Sequence, residues 1–153
     1  MRTTLGIAPV FVLLVALLGG CASTPLATPE ADADAKRFES ALNAAIIYLY
    51  RPRAPGGDAA STIWVDNRLI GETLPTTFFR IPVRAGRNRI TVSGNDTGRI
   101  EIDTQAEGVY FVDMQVLGET QGGTTTLFRI VAPDVAKSAI VNCCRMLDAW
   151  RPG

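Results

Sequence analysis

From Ala44 onward the chain is broken too often by turn residues for long helices, and the intervals between breaks carry strand formers. Ala45-Ile46-Ile47-Tyr48-Leu49-Tyr50 is β-branched, aliphatic and aromatic, and Arg51-Pro52 stops it. Both of its faces are apolar or aromatic, which predicts a central strand. Residues 53–60 hold Pro55, Gly56 and Gly57 and read as a loop. Ser61 to Val65 and Arg68 to Leu74 flank Asp66-Asn67, two residues that tolerate the left-handed conformation of a hairpin turn. Phe79, Ile81 and Val83 alternate with Phe78, Arg80 and Pro82 in a fourth strand. Pro82 has no N–H for a ladder, which predicts an edge position.

Ile90 and Val92 mark a fifth strand, and Ile100 and Ile102 a sixth. Gly108 opens a seventh, with Tyr110, Val112, Met114 and Val116 on one face, and Thr126 to Val131 is an eighth. Turns at intervals of about 8–12 residues predict a mainly β fold, an antiparallel β-sandwich of about seven to eight strands, or a barrel of the same strands. The intervals are too short for helical crossovers, which disfavours a parallel sheet. A helix is expected over 134–150, with Asp134 as N-cap. Ala136, Ala139, Ile140, Cys143, Leu147 and Trp150 form its apolar stripe. That stripe is expected to dock on the sheet or cover an open edge.

The N-terminus follows a different logic. Arg2 precedes an apolar run from Leu5 to Leu18, then Gly19, Gly20 and Cys21. The run is shorter than the ~20 residues of a transmembrane helix and has the length of a signal-peptide core. Leu18-Gly19-Gly20-Cys21 resembles the lipobox of bacterial lipoproteins. That resemblance implies a diacylglycerol on the Cys21 thiol, cleavage before Cys21 and acylation of the new amine. Ala22 in place of Asp after the cysteine implies sorting to the outer membrane. The organisation expected is a signal peptide over 1–20, a lipidated N-terminus and flexible tether over 21–42, and a β-sandwich domain over 43–153. Pro25, Pro29 and the alternating Glu30, Asp32 and Asp34 read as a solvated linker. Such a tether has a root-mean-square reach of about 25 Å.

Composition narrows the chemistry. The chain has 15 basic and 15 acidic side chains and no histidine. Net neutrality supplies no field for nucleic acid, so no nucleic-acid partner is expected. The missing histidine removes the commonest general base, metal ligand and triad member. No cofactor, metal or catalytic residue is assigned, and the chain reads as a non-enzyme. Cys143 and Cys144 are adjacent; on a helix their Cβ atoms diverge by about 100° and cannot bridge without distortion. Cys143, mid-stripe, is expected as a core thiol; a vicinal disulfide or an intermolecular bond through Cys144 is the redox alternative. Glu101 and Asp103 fall on the polar face of their strand, where solvation explains them better than glycoside hydrolysis. Arg87, Arg89 and Arg99 form a candidate basic partner surface, and Tyr48 with Tyr50 a candidate aromatic platform for which core packing is the simpler reading.

Ala45 to Pro52 resembles the opening A-x-I-Y-x-Y-R of a lipoprotein family known as domain of unknown function 2846. Ile63 to Glu72 is similar to its V-x-V-D-G-x-x-V-G hairpin, Phe78-Phe79 to its aromatic pair, Ala85 to Asn88 to its P-G-x-H turn, and Gly108 to Phe111 to its G-x-Y-F strand. Asn67 replaces the usual Gly and Asn88 the usual His, which marks Asn88 as a turn residue here. The hairpin also resembles PEGA-type surface modules. The resemblance implies a lipid-anchored β-sandwich on the periplasmic face of the outer membrane, bound to the membrane through its N-terminal lipid. It implies no reaction, and the missing histidine makes a non-catalytic binding or structural accessory to an envelope protein or polymer the leading expectation. The alternatives are a carboxylate-dependent hydrolase of envelope polymers and a redox-sensitive adaptor acting through Cys143-Cys144.

Overall fold

The computed structural model describes residues 23–52, 60–93, 98–119 and 123–150. Two sheets are stacked. One runs in the order β8-β7-β1-β4-β9 and the other β3-β2-β5-β6. The strands are β1 Ala45–Arg51, β2 Ser61–Val65, β3 Arg68–Thr73, β4 Thr77–Val83, β5 Gly86–Ser93, β6 Arg99–Thr104, β7 Val109–Glu119, β8 Gly123–Ile130 and β9 Arg145–Met146. Among the described residues there are also two helices, α1 Pro29–Ala35 and α2 Pro133–Cys143.

The alternation of apolar residues explains the layers. Ile47 and Leu49 of β1, Phe79 and Ile81 of β4, and Val112 and Met114 of β7 meet Ile63, Ile70, Ile90 and Ile102 from the opposite sheet in one aliphatic core. Strand β1 is buried along its whole length and central in its sheet, as its two apolar faces require. Its other face supplies Ile46, Tyr48 and Tyr50 to a second core with Phe78, Phe111, Ala136 and Ile140. Tyr48 stacks on Phe111 at 5.3 Å and meets Phe38 edge-on at 5.1 Å. Tyr48 and Tyr50 are thus core residues and not an exposed platform.

The β2–β3 turn has Asp66 at φ 48° and Asn67 at φ 65°, the left-handed pair expected of a two-residue hairpin. Asn88 is buried, and its amide donates to the carbonyls of Arg84 and Gly86 and to Thr104 Oγ1 at 2.9–3.1 Å. It ties the β4–β5 turn to β6.

Four expectations need correction. The five-stranded sheet is mixed, because β1 pairs with β7 in parallel and β4 with β9 in parallel. Strands β1 and β7 are separated in sequence by the whole second sheet, which is crossover enough. Pro82 lies beyond the short β9 contact, which reaches only Thr77 and Phe78, so β4 is an edge over only part of its length. The helix begins after Ala132, with no side-chain cap from Asp134, and stops at Cys143. Leu147 is buried in the aliphatic core beyond the helix end, and Trp150 stays 53% exposed.

The fourth correction concerns the tether, since residues 23–42 are folded onto the domain. Thr28 caps α1 by accepting from Ala31 N, and Pro29 opens the helix. Asp32, read as part of a solvated run, accepts from Met146 N at 2.7 Å and pairs with Lys36 at 2.8 Å.

Candidate functional site

Where β3 and β4 face each other, the chain's two end segments close the side of the sandwich. Leu26 bridges Leu147 in antiparallel fashion, Ala27 N donates to Met146 O at 2.9 Å, and Asp148 N donates to Pro25 O at 2.9 Å. The C-terminal segment joins both sheets: Leu147 N donates to Phe78 O on β4 and Trp150 N to Ile70 O on β3, each at 2.8 Å. The N-terminal segment is fastened by Thr24, whose Oγ1 accepts from Glu72 N at 2.6 Å. These bonds use main-chain groups that an edge strand would otherwise leave open.

Gly71 makes the strap possible. Its φ is +145°, and a Cβ there would stand 2.6 Å from Thr24 Oγ1 and 3.1 Å from Phe79. The glycine that ends the hairpin motif is therefore the seat of the Thr24 side chain. Between the two end segments and β3 lies a groove of about 600 Å³. Pro25, Leu69 and Trp150 give it apolar walls, Thr24 and Thr62 hydroxyls, and Glu72 and Asp148 carboxylates. Trp150 also borders a second groove of about 690 Å³, which runs past Arg68 and Arg80 toward α1. The first groove suits a ligand that offers both apolar surface and a cation.

The cysteines behave differently from the simplest expectation. Cys143 and Cys144 are bonded to each other. Cys144 lies past the end of α2 in extended backbone, φ −127° and ψ 147°, so the divergence of consecutive helical Cβ atoms does not apply. Cys144 is the buried member and Cys143 the half-buried one, the reverse of their order on a continued helix. Neither is a core thiol.

Cys21, with Leu18, Gly19 and Gly20, lies outside the described residues. Arg87 and Arg89 project from the exposed face of the four-stranded sheet, where Arg87 meets Asp103 at 3.4 Å and Arg89 meets Glu101 at 2.9 Å. Arg99 is exposed on β6 beside them. The surface is a mixed ladder and not a basic strip. Asp66, Asn67, Arg87, Arg89 and Glu101 outline a shallow depression of about 260 Å³. Each of the two carboxylates considered for hydrolysis has an arginine as its cross-strand partner.

One charged group was not singled out by sequence reasoning. Asp113 is 4% exposed in its side chain, yet sits among the apolar residues of β7. Its Oδ2 accepts from Arg129 at 2.8 Å and from Gln115 at 3.1 Å, while Oδ1 has no hydrogen-bond partner among the described residues. The signal was the charge on the outward face of a buried strand, with Arg129 opposite it once β7 and β8 are in register. Burial raises the Tyr50 hydroxyl above its ordinary pKa, and the Asp113 carboxylate adds to the shift. Burial also raises Tyr48, against the opposing influence of Arg80, which donates to its oxygen at 3.2 Å. Among the described residues no group of three or more His, Cys, Asp or Glu is placed to hold a metal ion. No described helix is long and apolar enough to cross a membrane.

The model of the family described as protein of unknown function (DUF2846) matches residues 41–124. An uncharacterized protein of Haemophilus influenzae is 32% identical over 98 residues, covering 63% of this chain and 58% of the relative. The chain thus matches little more than half the length of that relative. No solved structure matches. The chain belongs to the DUF2846 family.

Proposed function

We propose that this member of the family is an envelope lipoprotein, anchored through Cys21 on the periplasmic face of the outer membrane. Its sandwich acts there as a non-catalytic binding or structural module for an envelope protein or polymer. The observation that carries the reading is Leu18-Gly19-Gly20-Cys21 behind a short apolar run, followed three residues later by Thr24, whose side chain is bonded to the domain. Two or more acyl chains anchor a protein stably, because each buried CH₂ contributes about 0.8 kcal/mol. The groove beside the end segments and the mixed Arg–Glu ladder are both surfaces for association. Cys21→Ser should move the protein from the membrane fraction to the soluble periplasm and abolish labelling by radioactive palmitate. A variant that remains with the membranes would overturn the anchor.

The bond between Cys143 and Cys144 favours one further reading, a redox-sensitive adaptor. In that case the native protein has no free thiol in its domain until it meets a reductant. Alkylation of both cysteines without reduction would eliminate this idea.

A further inference from the structure

We infer that the groove formed by Pro25, Leu69, Glu72, Asp148 and Trp150 lies against the headgroup layer of a zwitterionic bilayer, with Trp150 inserted at the interface. This rests on the Cys21 anchor proposed above and adds to it the pose of the domain. A flexible tether would let the domain tumble well clear of the membrane. The structure removes that freedom, because the chain is fastened from Thr24 onward by the Glu72, Asp148 and Met146 hydrogen bonds. Extended chain spans at most ~3.3–3.6 Å per residue and a cysteine side chain adds about 3 Å, so the reach from Thr24 to an anchor on the Cys21 sulfur is at most about 14 Å. Headgroups occupy roughly the outer 5–8 Å of each leaflet, from a bilayer of about 40–45 Å around a hydrocarbon core of about 30 Å. Thr24 and Pro25 are themselves part of the groove wall, so the groove is within one leash length of the lipid.

The lining suits that depth. Trp150 is 53% exposed, and the indole ring is the side chain that favours the boundary between headgroup and acyl chain. Leu69 and Pro25 extend its apolar surface. Glu72 and Asp148 stand at the same groove and resist burial in hydrocarbon, which limits the insertion to the headgroup level. They also offer anionic partners for the ammonium of an ethanolamine headgroup.

The experiment uses the full lipidated protein in vesicles of phosphatidylethanolamine containing phosphatidylcholine brominated near the glycerol end of its acyl chains. Trp64 and Trp150 are the chain's two tryptophans. Emission is compared between the natural protein and W150F, and again in a W64F background where Trp150 emits alone. The expected result is strong quenching and a shift to shorter wavelength for Trp150 when it emits alone, with weaker quenching of the emission left in W150F, whose Trp64 is the cross-strand neighbour of Leu69. Protein that floats with the vesicles while Trp150 is unquenched overturns the pose and leaves the anchor standing. Purified protein that carries no lipid and fails to float overturns the anchor, and the pose with it.

Discussion

The outer face of the five-stranded sheet is roofed by Phe38 and α2 over the rings of Tyr48, Phe78 and Phe111, whereas the four-stranded sheet leaves Arg89 and Glu101 in water. The difference is written in the strand patterns. Strand β1 is buried at all seven positions, while β5 alternates between buried and exposed residues. A strand between two cores has no position that accepts a polar residue without a partner, and Asp113 shows the consequence by recruiting both Arg129 and Gln115. A strand with one wet face can change half of its residues at little cost. The molecule thus carries its stability on one side and its freedom to vary on the other.

The sharpest way to break this contrast is at Tyr48. Tyr48→Ala should destabilise the domain by about 3–5 kcal/mol, because a buried ring is deleted from a packed cluster. The substitution also leaves the Ala35 carbonyl without its 2.7 Å donor. Urea unfolding would measure it, and a loss no larger than that of a surface substitution would show that the roofed face is loosely packed. Gly71→Ala should cost about 1–3 kcal/mol, through strain at positive φ and displacement of Thr24. Amide exchange at Glu72 should then quicken while β1 stays protected, since only the strap is disturbed.

A third test uses pH. Tyr48 and Tyr50 have folded pKa values raised above the ordinary 10.0. The unfolded chain therefore loses these protons first. Their contribution is fully present below about pH 10 and is lost as pH rises through the folded pKa values. Thermal unfolding should show an alkaline decline that flattens in Y48F and Y50F. The smallest effect belongs to the wet face. A double-mutant cycle of Arg89→Ala and Glu101→Ala should give a coupling of only about 0.2–1 kcal/mol that shrinks in salt. A coupling of several kcal/mol would mean that the wet face constrains its residues as tightly as the roofed one does.

The strands were legible because each puts a side-chain rhythm into the sequence. The alternation around Ile81, Ile90 and Ile102 and the left-handed Asp66-Asn67 pair place eight strands and a hairpin without coordinates. The groove was not legible, for a physical reason. Its walls are held by backbone donors and carbonyls at Pro25, Ala27, Met146 and Trp150, and a main-chain hydrogen bond leaves no mark on residue type. Pro25 and the acidic run look like a linker until Met146 N is found on Asp32. The helix end was hidden likewise, because Leu147 continues the apolar stripe although the backbone has turned into β9. Asp113 needed the β7–β8 register to reveal its partner.

The strap also orders events in time. The contact between Asp32 and Met146 joins residues 114 positions apart, so the side of the sandwich can be sealed only after nearly the whole domain has been made. Closing so long a loop follows the local hairpins and does not guide them. A chain held by its first residues while the rest is still arriving would therefore fold at arm's length and be drawn in by its own final segment. For such a chain, the last step of folding and the choice of which face meets its surroundings are one event.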